Sequence, residues 1–490
     1  MKKVLIAGSG IGGMTAALLL KKNGMDVTIC EKSHKLGGRL SYIREQDFKI
    51  DEGPTIVLLP EMLQSILDEA GVARTEYELL KMDPLYTLHY KDGSTYRKYS
   101  SKEKQLEELK EKFPGDTSGF LRFMKDMDIS FPLGQKAFLE KSFTFKKDFW
   151  TGSNIRALMK LKAYKSVYKS LQGYFKDERL LQAYSLQTLY IGGNPYESPA
   201  LYSLISYSEH QHGIYYVKGG YASLAAVLEK ALRRLGVAIL KDSELTGFEV
   251  SGLNAVSAEV NGKKIAADYF VLNGDFPAVS HLLNRYMPKK KPYTPSSSCL
   301  LLYFGLNKIY HKADVHQFFM GSDFSSHMKA VFKTKELPED PSIYAFHPSV
   351  IDGSLAPEGK GVLYALVPVP SGEGINWKEQ DAFIEKMIDE LEKRGFPGLR
   401  EAILWQKVKT PLDAMKEGLF DGGSFGLAPS LNQSGVFRPQ VKPSILQNVY
   451  AAGASIHPGG GVPIVMQGAK LMASELLEDA AKYREVKTSG

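Results

Sequence analysis

The sequence predicts an α/β protein in which one parallel sheet is assembled from discontinuous segments, beside a mixed β-sheet domain and a helical subdomain. Three observations predict it. An apolar run, Val4-Leu5-Ile6-Ala7, leads straight into a glycine cluster, Gly8-Ser9-Gly10-Ile11-Gly12-Gly13, and then into a run of helix formers. After a long stretch of different character, strand and helix signals alternate again from Tyr215. From Asn448 the chain repeats the opening order of strand, glycine turn and helix.

The glycines of the first cluster have separate tasks. Gly8 allows a tight turn off the strand, Gly10 lets the backbone approach a pyrophosphate, and Gly13 lets the helix pack close to the strand. The helix from Met14 to Lys22 meets a stop signal in Asn23-Gly24. A second strand, Asp26 to Cys30, delivers Glu31 at its end, eighteen residues beyond Gly13. A dinucleotide-binding turn needs an acceptor for a ribose hydroxyl there, and an acidic side chain argues against a 2′-phosphate. The reading is a site for FAD or NAD, in which Gly8, Gly10, Ile11, Gly12, Gly13, Glu31 and the adjoining Lys32 form the first binding set.

At 490 residues the chain exceeds one simple core and implies two or three structural units. With 43% apolar and 24% charged residues it has the composition of an ordinary globular protein. Its two cysteines, Cys30 and Cys299, each sit in an apolar run and read as buried thiols in a reducing compartment, with neither a disulfide framework nor a metal site. The apolar start is already the first strand, so no signal peptide is expected. No charge-free run reaches the roughly eighteen residues of a spanning helix. The expectation is a cytoplasmic protein, peripheral on the cytoplasmic face of the cell membrane. The net charge of +7 is uneven, since Gln135 to Arg179 alone carries eleven Lys or Arg against four Asp or Glu. No recognisable nucleic-acid module accompanies that bias, which excludes nucleic acid as the partner.

After Glu31 comes a second small-residue turn, Gly37-Gly38-Arg39, and a hairpin-like stretch ending in Asp51-Glu52-Gly53-Pro54-Thr55. Residues 60 to 212 read as mostly helical, with short strands such as Tyr86 to Tyr90. A return to the first sheet is expected through the helix Tyr221 to Leu235, the strand Val237 to Leu240, further alternation through Phe248-Glu249-Val250, the turn Asn261-Gly262-Lys263 and the strand Tyr269 to Asn273. Residues 290 to 440 read as antiparallel strands with a few helices, including Gln380 to Arg394. The division expected is 1–75, 215–290 and 441–490 for the nucleotide-binding domain, 76–100 and 291–440 for the substrate domain, and 101–214 for a helical, membrane-associating subdomain.

Together the Gly8–Gly13 turn, Glu31, Gly37-Gly38-Arg39, Asp51-Glu52-Gly53-Pro54-Thr55 and the C-terminal AAGASIHPGGGVPIVMQGAK resemble the bacterial carotenoid desaturases of the phytoene desaturase type. LQTLYIG at 186–192, DPSIYAFHPSV at 340–350 and SLAPEGKGVLYALVPVP at 354–370 resemble the branch acting on C30 dehydrosqualene (4,4′-diapophytoene). The likeness runs essentially end to end. It implies a two-dinucleotide-binding-type Rossmann FAD domain and an enzyme that removes hydrogen pairs stepwise from a long-chain isoprenoid hydrocarbon. Carried over by the resemblance, Gly8, Gly10, Gly13, Glu31, Arg39 and Thr55 would hold FAD, with Gly38, Gly53 and Pro54 in the same turns. Leu245 would contribute its backbone on the adenine side. Gly453, Gly461, Val462 and Pro463 would lie along the pyrophosphate and flavin. Gly459-Gly460-Gly461 departs from the paired-glycine pattern of the family.

Hydride transfer from an allylic carbon to flavin needs little acid–base help from side chains, and no Ser/His/Asp or Cys/His constellation stands out. The departing proton still needs an acceptor. Glu209, His210 and His212 in one short stretch, and His457 beside the C-terminal glycine turn, are the candidates, against the plainer reading of hydrogen-bonded or surface groups. Tyr184, Tyr190, Tyr196, Tyr202, Tyr207, Tyr215, Tyr216 and Tyr221 suit either a hydrocarbon tunnel wall or ordinary core packing. No second GxGxxG appears, which favours oxygen or a quinone over NAD(P) as electron acceptor. Two alternatives share these motifs: an oxidase acting on a carotenoid's terminal methyl, and a non-catalytic prenyl-lipid carrier resembling the Rab GDP-dissociation inhibitors. Surface docking is assigned to the segment 154–169, read as one basic helix with Ile155, Leu158, Met159, Val167 and Leu171 close to one face.

Overall fold

The structure is a computed structural model describing residues 1–144, 146–288 and 292–488. The expected domain boundary between residues 290 and 291 lies outside the described residues.

Five strands form a sheet in the order Val449–Ala451, Tyr269–Leu272, Lys3–Ala7, Asp26–Cys30, Ala238–Leu240. Every neighbouring pair is parallel. The first strand of the chain is therefore central, and Val4, Leu5 and Ile6 are buried, as expected for a strand covered on both faces. Cys30 is also buried, and its thiol pKa is pushed up to about 12 by burial. The helix Ile11–Lys22 packs against the last helix, Val462–Thr488, and both contribute to one apolar core with the sheet.

Only part of the expected return to this sheet occurs. Ala238–Leu240 and Tyr269–Leu272 join it, while Leu245–Ser251, Asn254–Val260 and Lys263–Ala266 pair with each other as a separate antiparallel sheet. The reason is local. Gly252 and Asn261-Gly262 adopt positive φ, making tight hairpins, and a parallel partner needs a crossover much longer than such a turn.

A seven-stranded sheet runs Ile403–Lys409, Ser298–Leu306, Gly361–Val369, Ile343–Phe346, His316–Phe319, Tyr86–His89, Thr95–Lys98. Its pairs are antiparallel except His316–Phe319 with Tyr86–His89. Alternation along the strands separates two cores. Tyr86, Tyr303, Phe318, Tyr344 and Tyr364 face one, whereas Leu302, Phe304 and Leu363 face the helix Asp381–Arg394 in the other.

The basic segment is not one helix. Gly152–Lys160 stops where Lys162 takes φ +51, with Lys162 N donating to Met159 O at 3.1 Å and Ala163 N to Leu158 O at 3.0 Å. These are the closing bonds of a left-handed helix terminus. Ser166 then caps a new short helix, Val167–Leu171, by accepting from Lys169 N. Ile155 and Met159 are exposed while Val167 and Leu171 are buried, so they do not share a face. Among the described residues, no helix is long and apolar enough to cross a membrane.

Candidate active site

The first turn is built so that only glycine fits. Gly8 has φ +99, and a Cβ on Gly13 would stand 2.1 Å from the Gly8 carbonyl oxygen. Gly10 is the N-cap of the helix Ile11–Lys22, and no side chain caps it. The first backbone N–H groups of that helix are thus left as donors for an anion, at the positive end of the helix dipole. Gly12 faces the last helix, where an added Cβ would meet Val465 at 3.0 Å.

The second turn lies directly on the first. Gly37 N donates to Ser9 O at 3.1 Å, and a Cβ on Gly38 would come within 3.1 Å of the Gly10 Cα. Glu31 is buried, and its carboxylate is fixed by three donors: Ser9 N and Ser9 Oγ, both at 2.7 Å, and Ser33 N at 2.9 Å. Lys32 is exposed and reaches the Glu417 carbonyl. Arg39 donates from Nη1 to Ser424 O at 2.5 Å, and its guanidinium stays accessible although protein surrounds it. Those surroundings push its pKa down, partly offset by the charge of Asp275. Gly53 backs Arg39, since a Cβ there would sit 2.6 Å from the Arg39 carbonyl oxygen. Pro54 is half-buried, and the Thr55 hydroxyl lies 2.7 Å from that of Tyr344.

The C-terminal segment completes the edge. Gly453 (φ +124) follows the strand Val449–Ala451, and Gly461 (φ +96) precedes Val462 and Pro463, the buried start of the last helix. Leu245 begins the small antiparallel sheet opposite Val260. It follows Ser243, whose N–H donates to the Glu31 carbonyl at 2.8 Å.

Sequence reasoning missed the side chains that wedge these turns. Asn273 Nδ2 donates to Gly8 O at 3.1 Å, and the same side chain is what a Cβ on Gly10 or Gly12 would meet. Asp275 accepts from Phe420 N at 2.9 Å and from the Ser455 hydroxyl. Arg438 is buried, donates to Ala454 O at 2.6 Å, and has an Nε with no partner among the described residues. The available signal was position: Asn273 and Asp275 follow the strand beside the glycine turn.

The four proton-acceptor candidates are not brought together. Glu209 is completely buried in an ion pair with Lys98 at 2.7 Å and also accepts from Tyr86 OH at 2.8 Å. His210 bonds the Tyr99 carbonyl and the Tyr184 hydroxyl, and burial holds its pKa well below 6.5. His212 lies 3.9 Å from Glu61. His457 meets the Lys141 carbonyl at 2.9 Å, its pKa lowered to about 4 by burial. Of the tyrosines, Tyr184, Tyr207, Tyr216 and Tyr221 are buried core residues. Tyr190 is partly exposed and stacks 6.3 Å from Phe318, which lies 5.0 Å from Tyr344. That aromatic wall ends on Thr55.

An uncapped helix start, a fixed carboxylate at the second strand's end, an accessible arginine and a second glycine-led helix start suit a dinucleotide carrying a flavin. The family model of the flavin containing amine oxidoreductases matches residues 11–477. A 4,4′-diapolycopen-4-al dehydrogenase of Metabacillus indicus is 64% identical over 477 residues, covering 97% of each chain. A 4,4′-diapophytoene desaturase (4,4′-diaponeurosporene-forming) of Staphylococcus haemolyticus is 31% identical over 497 residues, covering 97% of this chain and 99% of its own. Among solved structures, a putrescine oxidase variant shares the fold with a TM-score of 0.65 at 14% identity, over 98% of this chain and 99% of its own. The chain is an FAD-dependent oxidoreductase and belongs to the flavin containing amine oxidoreductase family, among its bacterial C30 carotenoid desaturases.

Proposed function

We propose that this enzyme desaturates a linear C30 carotenoid precursor of the 4,4′-diapophytoene type stepwise to coloured polyenes. The observation that carries the reading is the end-to-end likeness to two proteins named for C30 carotenoid substrates. When bound, FAD supplies the hydride acceptor. The N–H groups at the start of the helix Ile11–Lys22, the Glu31 carboxylate, Arg39, Gly38, Gly53, Pro54, Thr55, the Leu245 backbone and the Gly453–Pro463 turn would hold it, in a Rossmann-type domain of the two-dinucleotide-binding kind. The protein's own work is to orient the polyene and keep water out, and the aromatic wall from Tyr190 to Tyr344 suits that task.

The division into residues 1–75, 215–290 and 441–490 for FAD, 76–100 and 291–440 for substrate, and 101–214 for docking remains part of this reading. So do a peripheral position on the cytoplasmic face of the membrane, where a hydrocarbon substrate must be collected, and oxygen or a quinone as acceptor. Purified protein supplied with 4,4′-diapophytoene in lipid should yield coloured polyenes without NAD(P), followed by chromatography and visible absorbance.

A second reading is favoured by one observation. The relative at 64% identity is named for a polyene aldehyde, which points to oxidation at the chain's end. There the hydrated aldehyde carbon would give up hydride and its hydroxyl a proton, leaving a carboxylic acid. Acid formed from the C30 aldehyde, with no product from 4,4′-diapophytoene, would select this reading over desaturation.

A further inference from the structure

We propose that the cleft between the helix Thr117–Gly134 and the segment 162–174 binds the phosphate of an anionic phospholipid headgroup. This deepens the surface-docking reading above and rests on it.

The cleft encloses about 410 Å³ and is lined by Arg122, Lys125, Lys162, Lys165 and Lys169 around one carboxylate, Asp126. That carboxylate is already engaged, accepting from the Tyr174 hydroxyl at 2.6 Å. Among the described residues, none of the five cations has a carboxylate within 4.0 Å. Elsewhere exposed lysines do find partners, as Lys104 does with Asp83 and Lys333 with Glu197. Five like charges around a single carboxylate leave an excess of positive charge that repels itself, and an anion seated between them reduces that repulsion.

The backbone points the same way. Lys162 occupies the left-handed position that ends the preceding helix, at φ +51, where glycine or asparagine is the usual residue. A lysine held there accepts backbone strain, and its ammonium is placed 5.8 Å from the Tyr174 ring centroid, inside the cleft.

The rim decides which phosphate. Leu121 and Ile129 flank Lys125 at spacings of four on one helix, and both are exposed, at 40% and 53%. On the other side Tyr164, 63% exposed, stands between Lys162 and Lys165, and Met159 is 61% exposed. A soluble phosphate ester would leave these apolar side chains in water. A bilayer would take the phosphate into the cleft and the rim into the boundary between headgroups and acyl chains.

The test is co-sedimentation of the FAD-loaded protein with vesicles of phosphatidylcholine alone or mixed with phosphatidylglycerol. A triple variant, Lys162→Gln with Lys165→Gln and Lys169→Gln, is compared with a control of equal charge change, Lys102→Gln with Lys110→Gln and Lys112→Gln. The cleft variant should bind phosphatidylglycerol vesicles on the order of a hundredfold more weakly, at about 1 kcal/mol for each of the lysines removed near the surface, and the control should match the parent. FAD absorbance and melting temperature report folding, and Lys165→Gln alone should show a smaller loss in the same direction. Equal binding by parent and cleft variant overturns the cleft site and leaves surface docking standing. No binding of the parent to either vesicle overturns both. Binding of inorganic phosphate that the cleft variant loses, without vesicle binding, overturns the lipid source in favour of a soluble one.

Discussion

The hydroxyl of Tyr344 lies 2.7 Å from His316 Nδ1, and on its other side 2.7 Å from the Thr55 hydroxyl. All three residues are buried, and burial lowers the histidine to about 3, so the ring is neutral at every working pH. This joins the seven-stranded sheet to the turn that follows the second glycine cluster. Tyr344→Phe should leave two buried polar groups without partners and cost about 1–3 kcal/mol. Urea unfolding of the FAD-loaded protein checks it, with Tyr364→Phe as a comparison from the same aromatic wall.

The first turn predicts an ordered series of cofactor losses. Gly10→Val places bulk against Asn273 at the turn proposed to receive the pyrophosphate, and should abolish FAD retention. Glu31→Ala should weaken FAD by about 1–3 kcal/mol, the scale of a charged hydrogen bond. Flavin absorbance per protein after gel filtration gives the order, and a yellow Gly10→Val protein would move the site elsewhere.

Lys98 and Glu209 form an ion pair with both side chains completely buried. Burial lowers the lysine pKa, opposed by its partner's charge. Lys98→Met alone should destabilise by about 3–5 kcal/mol, because it strands the carboxylate. The double variant Lys98→Met with Glu209→Gln should recover most of that. A single variant as stable as the parent would show that the pair is not buried in solution.

Acid sensitivity follows from buried histidines. His316 falls from 6.5 to about 3, and His327, His347 and His457 from 6.5 to about 4, each mainly by burial. Folded, these rings stay neutral, while the unfolded chain takes up protons below 6.5. Their stabilisation is complete above that pH and is lost as pH falls towards 4, on the order of 3 kcal/mol each. Asp51 works oppositely: burial raises it from 3.8 to about 7, so its contribution is present below 3.8 and lost as pH rises to about 7. Four rings outweigh one carboxyl, so stability should climb from pH 4 to pH 6.5. His327→Gln should flatten that climb in denaturant titrations across the range.

The opening βαβ unit was legible because its signals are local. Glycine spacing, a helix stop and a charged strand end all fall between Val4 and Glu31. What joins those turns was not legible, because Tyr344 comes to Thr55 across 289 positions and Asn273 to Gly8 across 265. Polar residues in strands carry no sequence mark of a distant partner. The strands from Leu245 to Ala266 were given to the wrong sheet because alternation reports a half-buried strand and not which sheet it pairs with. The basic segment was read as one helix because apolar spacing continued past Lys162, whose left-handed backbone no propensity announces. Tyrosine density proved equally ambiguous, with half of those rings buried in the core and half only partly buried.

The order of the parallel sheet sets a schedule for synthesis. The strand Lys3–Ala7 emerges from the ribosome more than two hundred and fifty residues ahead of its neighbour Tyr269–Leu272, and the edge strand Val449–Ala451 comes later still. Until then the nascent chain holds the pair Lys3–Ala7 and Asp26–Cys30 with its other edge open, a topology that makes ordering slow. Under the proposed site, FAD capture therefore waits until the strand Val449–Ala451 has been made. A cell starved of flavin would accumulate chains whose first and last strands have both been made and have not been locked together.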